Sequence, residues 1–297
     1  MRLSIIIPAL HDAAPLEETM LSVLENRPAN ADVIVVHTGF YADPYELSGE
    51  VKFVEARTAE TDAQCWQVGA AASSGEIIHV LASGVVVTAG WADSVRSWFA
   101  DPAVAAISPA LRCEQSIASV GIMADSLGYR RYLRLEEGKS LVGPSRLAAF
   151  YRRSRLEPLL PAAAALGDHA ADLDIAYSLK TQGLISRPVT ASQLIVPPTA
   201  LEPTCNFASA AAAERLRARH PQHLPTAGYW NQVLSHSIKQ LPGTQAFGVF
   251  MGHLGGARGE RPAEIPPVEI QSHDSPATIR MPQRPGKPTQ NDDRAAA

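Results

Sequence analysis

Among the histidines, acids and clustered arginines that could move protons or hold anions, four places stand out. His11 and His37 each follow an apolar run, Leu3 to Leu10 and Asp32 to Val36, which puts both at the C-terminal ends of neighbouring strands. Open α/β sheets bind their ligands at that edge. An imidazole pair there could help hold a metal or a phosphate, but no third ligand is evident, and ordinary polar loop residues are the commoner outcome. Asp168 and His169 are the second place, an acid and an imidazole suited to proton transfer or simply to solvent. Arg152, Arg153 and Arg155 are the third, a basic turn that either contacts an anionic group or faces water. Asp172 and Asp174 are the fourth, and a carboxylate at a helix start acts as an electrostatic cap. Cys65, Cys113 and Cys205 are far apart, odd in number and without metal-type pairing, which fits buried thiols in a reducing compartment.

These residues need elements to position them. Leu3 to Pro8 is a continuous β-branched run closed by proline, and Asp32 to Val36 is another; such runs read as strands buried on both faces. Between them Leu16, Met20, Val23 and Leu24 share one helical side, completing a βαβ unit. The order repeats with a strand at Val51 to Glu55, a helix at Asp62 to Ser73, a strand at Glu76 to Leu81 and a helix at Trp91 to Phe99. That alternation predicts an α/β domain with a mostly parallel sheet flanked by helices. Val104 to Leu111 and Leu147 to Tyr151 are further strands, and Asp172 to Gln182 is a helix closed by Gly183. This domain is expected over 1–200. Beyond Pro197 and Pro198 come helices at Phe207 to Arg219 and Trp230 to Leu241, a helical appendage over 201–260. From Arg261 the chain lacks aromatics and any periodic apolar face, so 261–297 is expected to be a disordered tail.

Composition narrows the partners. With 26 basic and 30 acidic residues the net charge is -4, which offers no basic footprint for nucleic acid. The apolar run at Leu3 is too short to span a bilayer and has no cleavage site behind it, so a cytoplasmic location is expected. Gln245 to Leu254 clusters Phe247, Val249, Phe250, Met251 and Leu254, which would pack as a terminal helix or make peripheral contact with a membrane surface.

The segment Ser4-Ile5-Ile6-Ile7-Pro8-Ala9-Leu10-His11-Asp12 resembles the first strand of family 2 glycosyltransferases. Leu16-Glu17-Glu18-Thr19, Ser22-Val23-Leu24, Val33-Ile34-Val35-Val36, Gly69, Ser74-Gly75-Glu76-Ile77-Ile78, Val80-Leu81 and Gly90-Trp91 follow in the family's order, and Ala148 to Ser154 is similar to its acceptor-side strand and turn. The likeness runs from Leu3 to Ile185. It implies a GT-A fold and transfer of a sugar from a nucleotide-sugar donor to a glycan or lipid-linked acceptor. It implies donor contacts at Pro8, Ala9, Leu10, His37, Gly39, Trp66, Ala82, Ser83 and Gly84. Ala171-Asp172-Leu173-Asp174-Ile175 is similar to the family's acidic motif, which makes Asp172 the general base.

Three family elements are altered. The family holds Mg or Mn on an Asp-x-Asp motif, and hard cations of this kind require such oxygen ligands. The matching residues here are Ala82, Ser83 and Gly84, none of them acidic, so no metal and no cofactor are expected. The Asp-Asp-Gly-Ser element becomes His37-Thr38-Gly39-Phe40, and an Arg-Asn pair becomes Trp66-Gln67. Two functions are compatible with this pattern: a transferase that works without metal, and an inactive pseudo-glycosyltransferase serving as a binding or scaffolding module in polysaccharide assembly. A nucleotidyltransferase-like enzyme fits less well, because no Gly-rich, Lys-bearing phosphate loop follows Leu10.

Overall fold

The computed structural model describes residues 1–137, 141–224, 228–240 and 243–258. The tail expected from Arg261 onward lies outside them. In chain order the elements are β1 (Leu3–Ala9), α1 (Ala13–Glu25), β2 (Ala31–His37), β3 (Val51–Glu55), α2 (Asp62–Ala72), β4 (Ile77–Leu81), β5 (Val86–Val87), α3 (Asp93–Trp98), β6 (Val104–Cys113), β7 (Ser116–Ser119), β8 (Gly121–Ala124), β9 (Arg130–Leu133), β10 (Ala148–Arg152), α4 (Arg153–Leu156), α5 (Leu160–Leu166), α6 (Ala171–Thr181), β11 (Ile185–Ile195), α7 (Phe207–Arg219), α8 (Tyr229–Gln240) and α9 (Gly243–Arg258).

The main sheet runs β3-β2-β1-β4-β10-β6-β11-β5, with β7 paired to β6. Its first four strands are parallel, as the βαβ pattern requires. β10 enters antiparallel between β4 and β6, and β11 returns parallel to β6. Alternation along β1 divides the interior: Leu3, Ile5, Ile7 and Ala9 face one core with Leu16 and Met20 of α1. Ile6 faces the other with Val68 of α2 and Leu160 of α5. Pro8 sits beyond the last β1 to β4 pairing, Ile6 with Val80, so its missing N–H costs that ladder nothing.

Helix starts are fixed by side chains. The Asp12 carboxylate accepts from the Ala14 N–H at 3.1 Å at the head of α1, and Thr61 and Gln64 form a reciprocal capping box on α2. The stretch between β6 and β10, for which the sequence pattern suggested no strands, folds into β7 and the separate β8-β9 ribbon. That ribbon shares a third core with α6, α7 and Leu224, through Ile122, Leu173 and Leu216. Tyr129, beside it, shares a fourth core with Tyr229 of α8 and Val249 of α9.

Candidate functional site

The C-terminal ends of β1, β2 and β4 converge, and the residues at the donor positions lie there. The Ser83 hydroxyl donates to the Pro8 carbonyl at 2.6 Å, and the Thr38 hydroxyl donates to the Leu10 carbonyl at 2.8 Å. The Gly84 N–H is taken up by the Thr19 hydroxyl at 2.8 Å. These polar groups tie the loops to one another. Gly39 and Gly84 have φ of 99° and 86°, turns that other residues enter only with strain. His37 is 8% exposed, and its Nδ1 accepts from the Gly39 N–H at 3.2 Å.

Beside this edge runs an open crevice of ≈1320 Å³. It follows the edge strand β3 from Arg2 and Asp32, at the N-terminal ends of the strands, to His37, Gly39, Glu55 and Arg57 at the C-terminal ends. Only the second half adjoins the donor positions. Its wall there is aromatic: Tyr41 stacks on Phe53 with centroids 5.6 Å apart, and His37 meets both rings edge-on. Burial, with Glu17 and Asp43 nearby, pushes the Tyr41 hydroxyl up to about 12, so it stays protonated near neutrality. Arg57 projects into solvent and pairs with Glu55 at 2.7 Å. Tyr41, Phe53 and Arg57 were not singled out from sequence, because rings and a lone arginine after a strand carry no motif.

Trp66 does not reach the crevice. It is 1% exposed and packs in the core between α2 and the sheet, so contact with a bound nucleotide is excluded by burial. Ala9 and Ala82 are 2% and 6% exposed and offer backbone rather than side chain. No carboxylate stands at 82–84, and among the described residues no three His, Cys, Asp or Glu side chains lie together to hold a metal. The residues present do not fit a carboxylate-bound Mg or Mn, and no step is derived through one.

A second group of acids gathers around the heads of α2 and α6. Asp172, in the first turn of α6, is wholly buried. Its Oδ1 accepts from Arg130 Nη2 at 2.7 Å and from the Leu173 N–H at 2.9 Å. Its Oδ2 accepts from Arg130 Nε at 2.7 Å and from the Arg146 N–H at 2.8 Å. Four hydrogen bonds on two oxygens occupy the acceptor capacity of the carboxylate. Asp168 reaches across to α2, accepting from the N–H groups of Asp62 and Ala63 at 3.1 and 3.3 Å. Arg146 Nη1 meets Asp62 at 3.1 Å. Burial, and then the Asp168 charge, push the Asp62 carboxyl up to about 6 against the opposing pull of Arg146. His169 is half-buried among them, and burial followed by Arg130 and Arg146 lowers its pKa.

Of the remaining candidates, Arg152, Arg153 and Asp174 make structural contacts, and Arg155 is exposed. Arg152 donates to the carbonyls of Phe99, Asp101 and Val104, and Arg153 to those of Gly75 and Ala70. Gly75 precedes β4, so the basic turn lies at the N-terminal edge, away from the donor positions. Asp174 ties α6 to the end of α7 through His220 at 2.7 Å and Arg219 at 2.8 Å. His11 is exposed. Of the cysteines only Cys65 is buried, while Cys113 and Cys205 are half-buried.

A parallel β3-β2-β1-β4 half with an antiparallel β10 beside it matches the GT-A glycosyltransferase fold, and known structures agree. S. aureus TarS 1-349 superposes with a TM-score of 0.57 at 11% identity, over 86% of this chain and 80% of that one. The same TarS fragment in complex with UDP-GlcNAc gives a TM-score of 0.57 at 11% identity, over 86% and 79%. GalNAc-T7 with UDP, GalNAc and Mn2+ gives 0.60 at 14% identity, over 81% of this chain and 51% of that one. No protein-family model and no curated protein matches the chain.

Proposed function

We propose that this chain is a diverged glycosyltransferase of the family 2 kind, which passes a sugar from a nucleotide-sugar donor to a glycan or lipid-linked acceptor without a carboxylate-held metal. The observation that carries the reading is the aromatic crevice at the C-terminal ends of β2 and β3. The family's acid that recognises the nucleotide is replaced there by His37, and Tyr41 and Phe53 line the same wall. Tyr41 is buried and backs the half-buried Phe53, which is the ring left to meet a base. Base-on-aromatic stacking contributes about 1–3 kcal/mol per base, a scale adequate to replace one charged contact. Arg57 stands at the same wall, a cation where a diphosphate would bring negative charge. The known structures that share the fold include ones solved with UDP-GlcNAc and with UDP and Mn2+.

The inactive binding module is the second reading, and one observation favours it: the residue at the base position, Asp172, is saturated by Arg130 and Arg146. The two readings separate in a nucleotide-release assay with UDP-, GDP- and dTDP-sugars in EDTA. Release above the buffer rate for any donor supports the transferase. Donor binding with no release supports the module, and neither binding nor release contradicts the transferase and leaves the scaffolding module.

A further inference from the structure

Asp172 cannot serve as a base while Arg130 holds it, yet a half-buried imidazole stands three residues upstream. His169 lines a small recess of ≈100 Å³ together with Tyr132, Arg146, Thr199, Glu202 and Thr204. The recess is roofed by the segment after β11, where the Tyr132 hydroxyl donates to the Ala200 carbonyl at 3.4 Å. Its walls carry hydroxyls and carbonyls, the chemistry that recognises a hydroxyl-bearing acceptor. Among the described residues no hydrogen bond fixes the His169 ring, so both nitrogens remain available to a ligand.

Resting on the transferase reading above, we propose that His169 is the catalytic base of this chain and that the recess it lines receives the acceptor hydroxyl. The base function has moved from α6 to the loop that leads into it, while Asp172 has become the anchor of Arg130. In the step, a ring nitrogen of His169 takes the proton from the acceptor hydroxyl as that oxygen bonds to the anomeric carbon of the donor sugar. The anomeric carbon to phosphate-oxygen bond breaks, and its electron pair leaves with the nucleoside diphosphate. No redox partner enters the balance.

The surrounding charges suit an imidazole that is neutral before reaction. Burial opposes its protonation most, and Arg130 of β9 and Arg146 before β10 oppose it too, while Asp168 beside it and Asp172 of α6 favour it; the net effect is a lowered pKa. Asp62 of α2 pairs with Arg146, and Glu202 closes the recess from the segment after β11. The imidazole is therefore in its proton-accepting form at neutral pH, which a general base requires.

The test uses the full chain with UDP-GlcNAc and GDP-mannose, with water as the acceptor and nucleotide release as the readout. His169→Gln is expected to lower kcat at least 100-fold, the usual size of a general-base contribution, with KM for the donor within twofold. His169→Ala is expected to be partly rescued by added imidazole. The wild-type rate is expected to fall on acidification with a midpoint below the ordinary histidine value. Since His169 makes no hydrogen bond among the described residues, its variants should keep the wild-type Tm. Wild-type turnover that persists in His169→Gln with the same pH profile overturns the assignment of His169 and leaves the transferase reading intact. No nucleotide release by the wild type overturns both.

Discussion

The Arg130 and Asp172 pair shows how a single residue can look catalytic in sequence and be structural in space. Its carboxylate sits in the first turn of α6, where sequence alone offers a cap or a base, and Arg130, forty-two positions away, takes both oxygens. Nothing in the local sequence announces that partner. Removing one member of a buried pair leaves the other charge uncompensated, a loss of about 3–5 kcal/mol. Chemical denaturation of Arg130→Met should show a loss of that size, and the Arg130→Met, Asp172→Leu double variant should recover most of it. A second residue-scale expectation concerns His79 in β4, which is fully buried against Phe150 with ring centroids 3.8 Å apart. Burial pushes its pKa down to about 3 against the pull of its bond to the Ala149 carbonyl. Between about 6.5 and 3 the unfolded chain binds a proton that the folded chain refuses. Stability from this group is complete above 6.5 and lost as pH falls through that window, by up to about 1.4 kcal/mol per pH unit. His79→Phe should flatten the acid limb of a Tm against pH curve, and an unchanged limb would show that His79 does not govern it.

At the scale of elements, legibility followed periodicity. β1 and β2 could be read because their apolar runs are nearly continuous, β3 and β4 because they keep the alternation of strand and helix going, and α1 and α2 are capped by local residues, Asp12 and Thr61. β8 and β9 could not. They are four residues each, and their pattern is set by packing on α6 and α7 rather than by any repeat of their own. Arg130 lies on β9, which is why the site was only half visible in the sequence. The Trp66 position shows the converse error: the motif alignment put it on the donor, whereas the helix turns it into the core. Trp66→Ala should cost about 3–5 kcal/mol in denaturant melts, as deletion of a buried aromatic does. The helices α7 and α9 approach closely because α9 presents Gly252 and Gly256. A Cβ on Gly256 would stand 2.6 Å from the Ala211 carbonyl oxygen. Gly256→Ala should therefore lower the Tm by several degrees, and an unchanged Tm would mean that the helices separate freely.

For the whole molecule, an α/β domain with a mostly parallel sheet was legible from the order of strands and helices, and the GT-A fold from the motif resemblance that begins at Ser4–Asp12; the structure adds the antiparallel β10 and the paired cores that fix its sheet. The site was legible only where it is backbone. Side chains drawn together from β2, β3, β9 and α6 have no common spacing in sequence, so the aromatic crevice and the cluster around Asp172 emerge only on folding. The helix α9 carries Phe247 and Met251 exposed at 68% and 40%, and no described helix is long and apolar enough to cross a membrane. Peripheral membrane contact through 245–254 remains a proposal, tested by co-sedimentation with anionic phosphatidylserine vesicles. Phe247→Ser should reduce the bound fraction if that face inserts, and equal binding would refute insertion there.

The central claim is that the chain binds a nucleotide-sugar through aromatic and basic groups in place of acid-held metal. Isothermal titration of the full chain with UDP-GlcNAc and GDP-mannose, each in EDTA and then in manganese, addresses it most directly. The account predicts binding of at least one donor with the same affinity in both conditions, and at least tenfold weaker binding for Phe53→Ala. Binding that appears only with manganese, or no binding of either donor, would contradict it.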